Sequence, residues 1–238
     1  NRVQFTPDVV PSDITGYSIY NKANGKFEYR AGAAMCNILL ADEINRTSSK
    51  TQSALLEVMQ EGNITVDGKT RKVPEPFLVV ATQNPIGTAG TQMLPEAQLD
   101  RFMAQLSIGY PGKEAEMKIL MDRKNEDPMD KVISIVNREN LVEMKNKVKE
   151  VFVHEKMYEY ITDLVRGTRE NELIKMGISP RGAISICAMG QAWAFMHGRN
   201  YVIPQDIRDI FFDAVCHRIL ISPKAHAQGK SIYEILSE

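Results

Sequence analysis

Ile38-Leu39-Leu40-Ala41-Asp42-Glu43 decides the fold of this chain. An uninterrupted apolar run reads as a strand buried on both faces of a parallel sheet, and here it stops abruptly at two adjacent carboxylates. In open α/β sheets, ligands sit beyond the carboxyl ends of the strands, which is where this pair falls. The pattern is that of a Walker B motif. Its first carboxylate holds Mg2+, directly or through water, and its second polarises the water that attacks a γ-phosphate. The bland alternative is that Asp42 and Glu43 merely open a polar loop. A second run, Leu78-Val79-Val80-Ala81, ends in Thr82-Gln83-Asn84-Pro85. Asn84 there could hydrogen-bond the attacking water or the γ-phosphate as a sensor, or could simply start an Asn-Pro turn. Two buried strands that deliver Asp-Glu and Asn to one edge favour the functional reading.

Working outward, Val3-Gln4-Phe5 reads as a short strand and Leu106-Ser107-Ile108 as a weaker one. Lys50–Glu61 places Ala54, Leu55, Val58 and Met59 on one helix face, capped from the Thr47-Ser48-Ser49 cluster. Two segments read as β-hairpins. Ser18–Tyr20 and Phe27–Tyr29 flank Asn24-Gly25, while Ile64–Val66 and Thr70–Val73 flank Asp67-Gly68. Such dipeptides supply the positive φ angles of tight hairpin turns. From Gly112 onward the pattern is helical, with helices expected over 114–123, 139–149, 155–170, 181–197 and 205–218 and a short one near 231–237. Tyr110-Pro111-Gly112-Lys113 is a turn signal, so the expected domains are an α/β half, 1–111, and an all-helical half, 112–238. The aromatic residues Trp193, Phe195, Phe211 and Phe212, at helical spacing, read as core rather than as a binding groove.

Composition bounds the function. With 43% hydrophobic and 25% charged residues, the 238-residue chain can bury a core and is not a disordered segment. Its 29 Lys plus Arg nearly balance 30 Asp plus Glu, which excludes nucleic-acid binding by bulk charge but not a local basic patch. No apolar stretch reaches the roughly 18 residues of a membrane helix. Cys36, Cys187 and Cys216 form no CxxC pair, so buried thiols in a reducing cytoplasm are expected. The histidines lack metal-ligand spacing, and no structural zinc is expected.

NILLADEINR (37–46), KTQSALLEVMQEGNITVDGK (50–69), VVATQNP (79–85) and LPEAQLDRF (94–102) resemble the MoxR family of AAA+ ATPases. FTPDVVPSDITG (5–16) and ISPRGAISI (178–186) fit it too, so the resemblance runs along almost the whole chain. It implies an AAA+ α/β core followed by a helical lid, with the two hairpins as inserts. It also implies a homo-oligomeric, hexameric ring that binds ATP and Mg2+ between subunits. By motif position, Asp42 resembles the Mg2+-holding residue, Glu43 the catalytic base and Asn84 the first sensor. Arg101 resembles an arginine finger that reaches a neighbour's γ-phosphate, and Arg181 a second sensor on the ATP phosphates. The local alternatives are an Arg101 paired with a nearby carboxylate and an Arg181 that is a solvated first-turn residue. Arg46 could join the interface. The family implies chaperone-like remodelling or maturation of partner proteins, among them von Willebrand factor A-domain proteins. The cysteine pattern and the lack of a membrane-length apolar stretch add the expectation of a cytoplasmic protein away from membranes.

Two other functions compete. Basic residues on the hairpins (Lys22, Lys26 and Arg30; Lys69, Arg71 and Lys72) could grip DNA in a translocating or chelatase-type AAA+ motor, although charge on a hairpin more often only blocks edge pairing. A nucleotide-free assembly scaffold is the other.

An ATPase of this kind needs a GxxxxGK[ST] loop to cradle phosphates, and the sequence contains none. Gly62–Thr70 has one residue too many between its glycines, and Gly229-Lys230-Ser231 has Lys224 where the first glycine belongs. The expectation is that the parent protein carries this loop upstream, together with a central first strand, so that the sheet has a gap between the strands near 39 and 79 and the strand near 107. The 238 residues alone are then expected to be inactive and to bind ATP below native affinity. Equilibrium titration of the purified chain with a fluorescent ATP analogue checks this, and tight binding would overturn it.

Overall fold

The computed structural model describes residues 1–84, 93–122 and 131–237. Pro85 and Arg123, each at the end of an expected feature, lie outside these residues. Two compact units result, Asn1–Phe102 and Met103–Glu238. The break falls ahead of the Tyr110–Lys113 turn where the sequence pattern put it. The residues after Phe102 are tied into the helical unit, because the Gln105 N–H donates to the Asp213 carbonyl at 2.8 Å. Arg218 Nη1 also donates to the Met103 carbonyl at 3.4 Å.

The first unit runs β1 (Arg2–Gln4), α1 (Pro11–Thr15), β2 (Tyr17–Asn21), β3 (Lys26–Arg30), β4 (Ile38–Asp42), α2 (Ser49–Glu61), β5 (Asn63–Val66), β6 (Lys69–Lys72), β7 (Leu78–Ala81) and α3 (Glu96–Leu99). β1, β4 and β7 form a parallel sheet with β4 in the middle, in register Gln4 to Asp42 and Ala41 to Ala81. Leu39 and Ala41, fully buried, join Phe5, Ile14, Leu55, Leu56 and Val58 in one core, so α1 and α2 pack with one face of the sheet. Burying each such large side chain contributes about 1.5–3 kcal/mol. The expectation of strands buried on both faces is corrected here: Ile38, Leu78 and Val80, which alternate with the core positions, are about half exposed. The described helices of this unit cover a single face. Leu106-Ser107-Ile108 is not a strand either, and Ile108 is 99% exposed. A strand needs a hydrogen-bonding neighbour, and among the described residues none lies beside it.

Both hairpins form as expected. Asp67 and Gly68 have φ of 51° and 70°, which lets β5 turn into β6. The β2–β3 hairpin is seated by a tight neck. Gly16 has φ of 84°, and a Cβ there would lie 2.3 Å from the Arg30 carbonyl oxygen, so only glycine fits. The Tyr29 hydroxyl donates to the Thr15 carbonyl at 2.6 Å, and the Arg71 guanidinium of β6 stacks 3.9 Å above the Tyr29 ring. The two hairpins therefore brace each other.

The second unit comprises α4 (Lys113–Asp122), α5 (Arg138–Lys149), α6 (Glu155–Glu170), β8 (Ile174–Met176), α7 (Pro180–Met196), α8 (Pro204–Val215), β9 (Leu220–Ile221), α9 (Pro223–Ala227) and α10 (Ile232–Ser237). It is helical but not all-α, because β8 and β9 pair as a short antiparallel ribbon that single-sequence periodicity did not reveal. Met157, Ile161 and Val165 recur at helical spacing on α6 and meet Ile186 and Ala194 of α7 and Ile207, Ala214 and Val215 of α8. At the α7–α8 crossing, a Cβ on Gly190 would lie 2.5 Å from Ile207 Cδ1, so the helices approach as closely as a bare backbone allows. Phe211 is in the core, and Trp193 and Phe195 pack against it, as expected, whereas Phe212 lies outside that cluster and makes ring contacts with Phe211 and Tyr233. The three cysteines are free and half-buried rather than fully buried.

One ion pair locks the lid's helices. Asp206, with a side chain 2% exposed, accepts from Arg199 Nη1 at 2.7 Å and from the Ile203 N–H at 2.8 Å at the start of α8. Burial pushes the Asp206 carboxyl up, but the Arg199 hydrogen bonds, the Ile203 N–H and the Arg199 charge together hold it below the usual carboxylate range. A depressed folded pKa gives stability that is present above the unfolded value of about 4 and is lost as pH falls through the folded value. Trp193, the sole tryptophan, lies in this unit and reports on it. Denaturation followed by its fluorescence should show stability falling on acidification below about pH 4. Asp206→Asn should cost roughly 2–3 kcal/mol at pH 7 and flatten that acid limb.

Candidate functional site

The carboxyl edge of the three-stranded sheet gathers the polar residues singled out in the sequence. The parallel register sets the end of β1 beside the end of β4, and the chain leaving β7 follows on the other side. Asp42 closes β4. Glu43 then adopts φ of 55° and ψ of 49°, a left-handed conformation that costs a non-glycine residue about 1 kcal/mol or more and turns the chain out of the sheet. The Thr82 hydroxyl holds this turn. It accepts the Glu43 N–H at 2.9 Å and donates to Asp42 Oδ1 at 3.3 Å. Asp42 Oδ2 takes a 2.7 Å ion pair from Arg2 Nε, whose side chain is 68% exposed, so that pair adds little to stability.

Glu43 is held more completely. Its Oε2 accepts from Arg46 Nη1 and from Gln4 Nε2, each at 2.8 Å, and the Asn84 side chain is a further hydrogen-bond partner. The Arg46 hydrogen bond, with smaller help from the Arg46 charge, Gln4 and Asn84, outweighs partial burial and keeps the carboxyl below its ordinary pKa. An ionised, oriented carboxylate is what a water-polarising base requires.

A three-residue 3-10 turn, Ile44–Arg46, follows and is buried at its centre. The fully buried Gln52 of α2 donates to the Ile44 carbonyl at 3.0 Å, and the fully buried Asn45 bonds to the Asn84 main chain. The structure thus brings Asp42, Glu43 and Asn84 together. Arg101 sits in the turn after α3 with an exposed side chain, and no bond among the described residues links it to those three. Arg181 lies in the first turn of α7 in the second unit, also exposed. Arg46 faces Glu43 from within its own turn.

Arg2, Gln4, Thr82 and Asn45 carry contacts that the sequence reading did not assign. The signal for Gln4 was there, since Arg2 and Gln4 alternate around the inward Val3 and so share a face. Which carboxylates they would meet depends on register, which sequence alone does not give.

The donor set suits Mg2+. It offers hard oxygens from Asp42 and Glu43 with the Thr82 hydroxyl nearby, and no group of three or more His, Cys, Asp or Glu clusters among the described residues. Mg2+ is ordinarily held in this sparse way, by one or two carboxylates, while it keeps waters and takes phosphate oxygens.

Known proteins share this architecture. Residues 1–104 match the profile of the ATPase family associated with various cellular activities (AAA), and residues 166–238 match that of the AAA lid domain. The uncharacterized protein YeaC of Bacillus subtilis is 45% identical over 237 residues, spanning 100% of this chain and 74% of that protein. Chaperone MoxR1 of Mycobacterium tuberculosis is 41% identical over 236 residues, spanning 95% of this chain and 62% of that protein. A crystal structure from Cytophaga hutchinsonii, described as that of a candidate ATPase, superposes with a TM-score of 0.89 at 40% identity, covering 99% of this chain and 74% of that one. The α/β core and the helical lid are common ground with these proteins, and the chain belongs to the MoxR family of AAA+ ATPases.

Proposed function

We propose that this chain serves a chaperone-type AAA+ ATPase that couples Mg2+-dependent ATP hydrolysis to remodelling or maturation of partner proteins. The observation that carries the reading is the Glu43 carboxylate, ionised and aimed by Gln4, Arg46 and Asn84 beside Asp42. In this reading Glu43 takes the proton of the attacking water, and Asn84 orients that water or the γ-phosphate. Asp42 holds Mg2+, which when bound neutralises phosphate charge. Arg101 is the arginine finger offered to the next subunit of a hexameric homo-oligomer, a role its exposure permits. Arg181 is the second sensor, contacting the ATP phosphates from the start of α7. Anions are stabilised at a helix N-terminus, so a phosphate suits that position.

The name of the M. tuberculosis relative supports the chaperone role. Von Willebrand factor A-domain proteins as partners and a cytoplasmic location belong to the same proposal. No helix among the described residues is long and apolar enough to cross a membrane. The DNA-gripping alternative is weakened because two of its cations are engaged: Arg71 stacks on Tyr29, and Lys72 pairs with Glu75 at 2.5 Å.

No GxxxxGK[ST] stretch occurs in the 238 residues, so turnover in this reading requires a phosphate cradle in addition to them. The test is Mg2+-dependent ATP turnover of protein that carries such a loop. Glu43→Gln should lower kcat by about 10²–10⁴-fold while leaving ATP binding in place. Asp42→Asn should raise the Mg2+ concentration needed for turnover. Wild-type turnover by Glu43→Gln would remove the base from the proposal.

A further inference from the structure

We infer that Asn45 is a positioning residue for Asn84, a role that rests on the ATPase reading given above. The backbone ladder between β4 and the segment after β7 ends where Glu43 turns out of the sheet. Its last two rungs are the Thr82 N–H to the Ala41 carbonyl at 2.9 Å and the Ile44 N–H to the Thr82 carbonyl at 3.0 Å. Beyond them no main-chain bond joins the two segments among the described residues, yet Asn84 must be held for its side chain to reach Glu43. The Asn45 side chain takes over. Its Nδ2 donates to the Asn84 carbonyl at 3.0 Å, and its Oδ1 accepts the Asn84 N–H at 3.2 Å. A primary amide paired with a main chain in this two-point way imitates one more rung of the sheet. The reverse amide orientation would set N–H against N–H, so the contacts fix the assignment.

Three features make this more than a packing contact. Asn45 is fully buried, so water does not compete for either bond. Its own turn is pinned from the far side by Gln52 to the Ile44 carbonyl, so the clamp is anchored at both ends. And the residue it grips lies two positions past Thr82, whose hydroxyl holds the Glu43 N–H, so Asn84 sits on the segment that fixes the Glu43 turn. Asn45 thus acts on the reacting groups only through Asn84. No other side chain fits the task equally. Aspartate can accept from the Asn84 N–H but cannot donate to its carbonyl, and alanine leaves both main-chain groups unpaired.

The test combines residue-resolved amide exchange on the 238-residue chain with turnover of the loop-bearing protein. In Asn45→Ala, exchange at the Asn84 amide should accelerate by about tenfold or more, while the Thr82 amide, bonded to Ala41, keeps its wild-type protection. Turnover should fall about 10–100-fold in kcat with KM for Mg–ATP unchanged. In an Asn84→Ala background the same substitution should change kcat by less than about twofold, because the group it positions is gone. Asn45→Asp, isosteric but setting a carboxylate oxygen against the Asn84 carbonyl in a fully buried site, should lose at least as much as Asn45→Ala in both measurements. Unchanged exchange at Asn84, wild-type turnover of Asn45→Ala, or an equal fall in the Asn84→Ala background would each overturn the inference. If the wild-type loop-bearing protein hydrolyses no ATP, the ATPase reading fails, and exchange at Asn84 alone upholds or overturns the positioning role.

Discussion

The bond between the Glu43 N–H and the Thr82 hydroxyl is the constraint on which the rest of the carboxylate edge depends. A parallel sheet delivers strand ends to a common edge, but it delivers them as extended chain, with side chains pointing alternately to either face. Two consecutive carboxylates can work together only if the second leaves that alternation. Glu43 does so by entering the left-handed region, where a non-glycine residue stays only when its surroundings over-determine it. Thr82 supplies that determination with one atom, which takes the strained amide and gives its proton to Asp42. The carboxylate of Glu43 is then free to be gripped from other elements, Gln4 from the edge strand and Arg46 from the turn that follows.

Polar side chains around this edge replace main-chain bonds wherever the sheet cannot continue. Thr82 stands in for a missing rung beside Glu43, Asn45 for the next one beside Asn84, and Gln52 closes the turn between them. Each of these groups is worth about 1 kcal/mol as a bond, yet leaving a buried partner unpaired costs about 1–3 kcal/mol. That asymmetry gives the edge a single arrangement rather than several. The hairpins follow the same logic at longer range. Arg71 and Tyr29 join two otherwise separate two-stranded ribbons, each too small to be stable by itself, and Gly16 lets the neck of one close tightly against its own strand.

Much of this was legible in the sequence. The apolar runs at 38–41 and 78–81, the dipeptides Asn24-Gly25 and Asp67-Gly68, and the long amphipathic helices of the lid are local signals, and local signals survive without knowledge of the fold. Asp42, Glu43 and Asn84 were readable because they sit at strand ends, where position alone implies an edge. What was not readable depends on neighbours. The β8–β9 ribbon is made of segments of three and two residues far apart in the chain, too short to show a period. Leu106-Ser107-Ile108 has a strand's composition, but pairing makes a strand, and composition does not supply a partner. Gln4 and Asn45 look like ordinary polar residues until the register places one opposite Asp42 and the buried turn places the other beside Asn84.

The contrast between the two kinds of charge pairing follows from burial. Arg2 and Asp42 meet at 2.7 Å, as do Arg199 and Asp206, yet the pairs do different things. Arg2 is mostly in water, so its partner can exchange it for another cation at little cost, which suits the proposal that this carboxylate receives Mg2+. Asp206 is sealed, shares its oxygens with the helix start and has no low-cost alternative to Arg199, which suits a residue whose task is to keep α8 in place. Sequence distance or residue type would not separate them. The same two side-chain chemistries serve exchange at the sheet edge and permanence in the lid, and solvent access decides which.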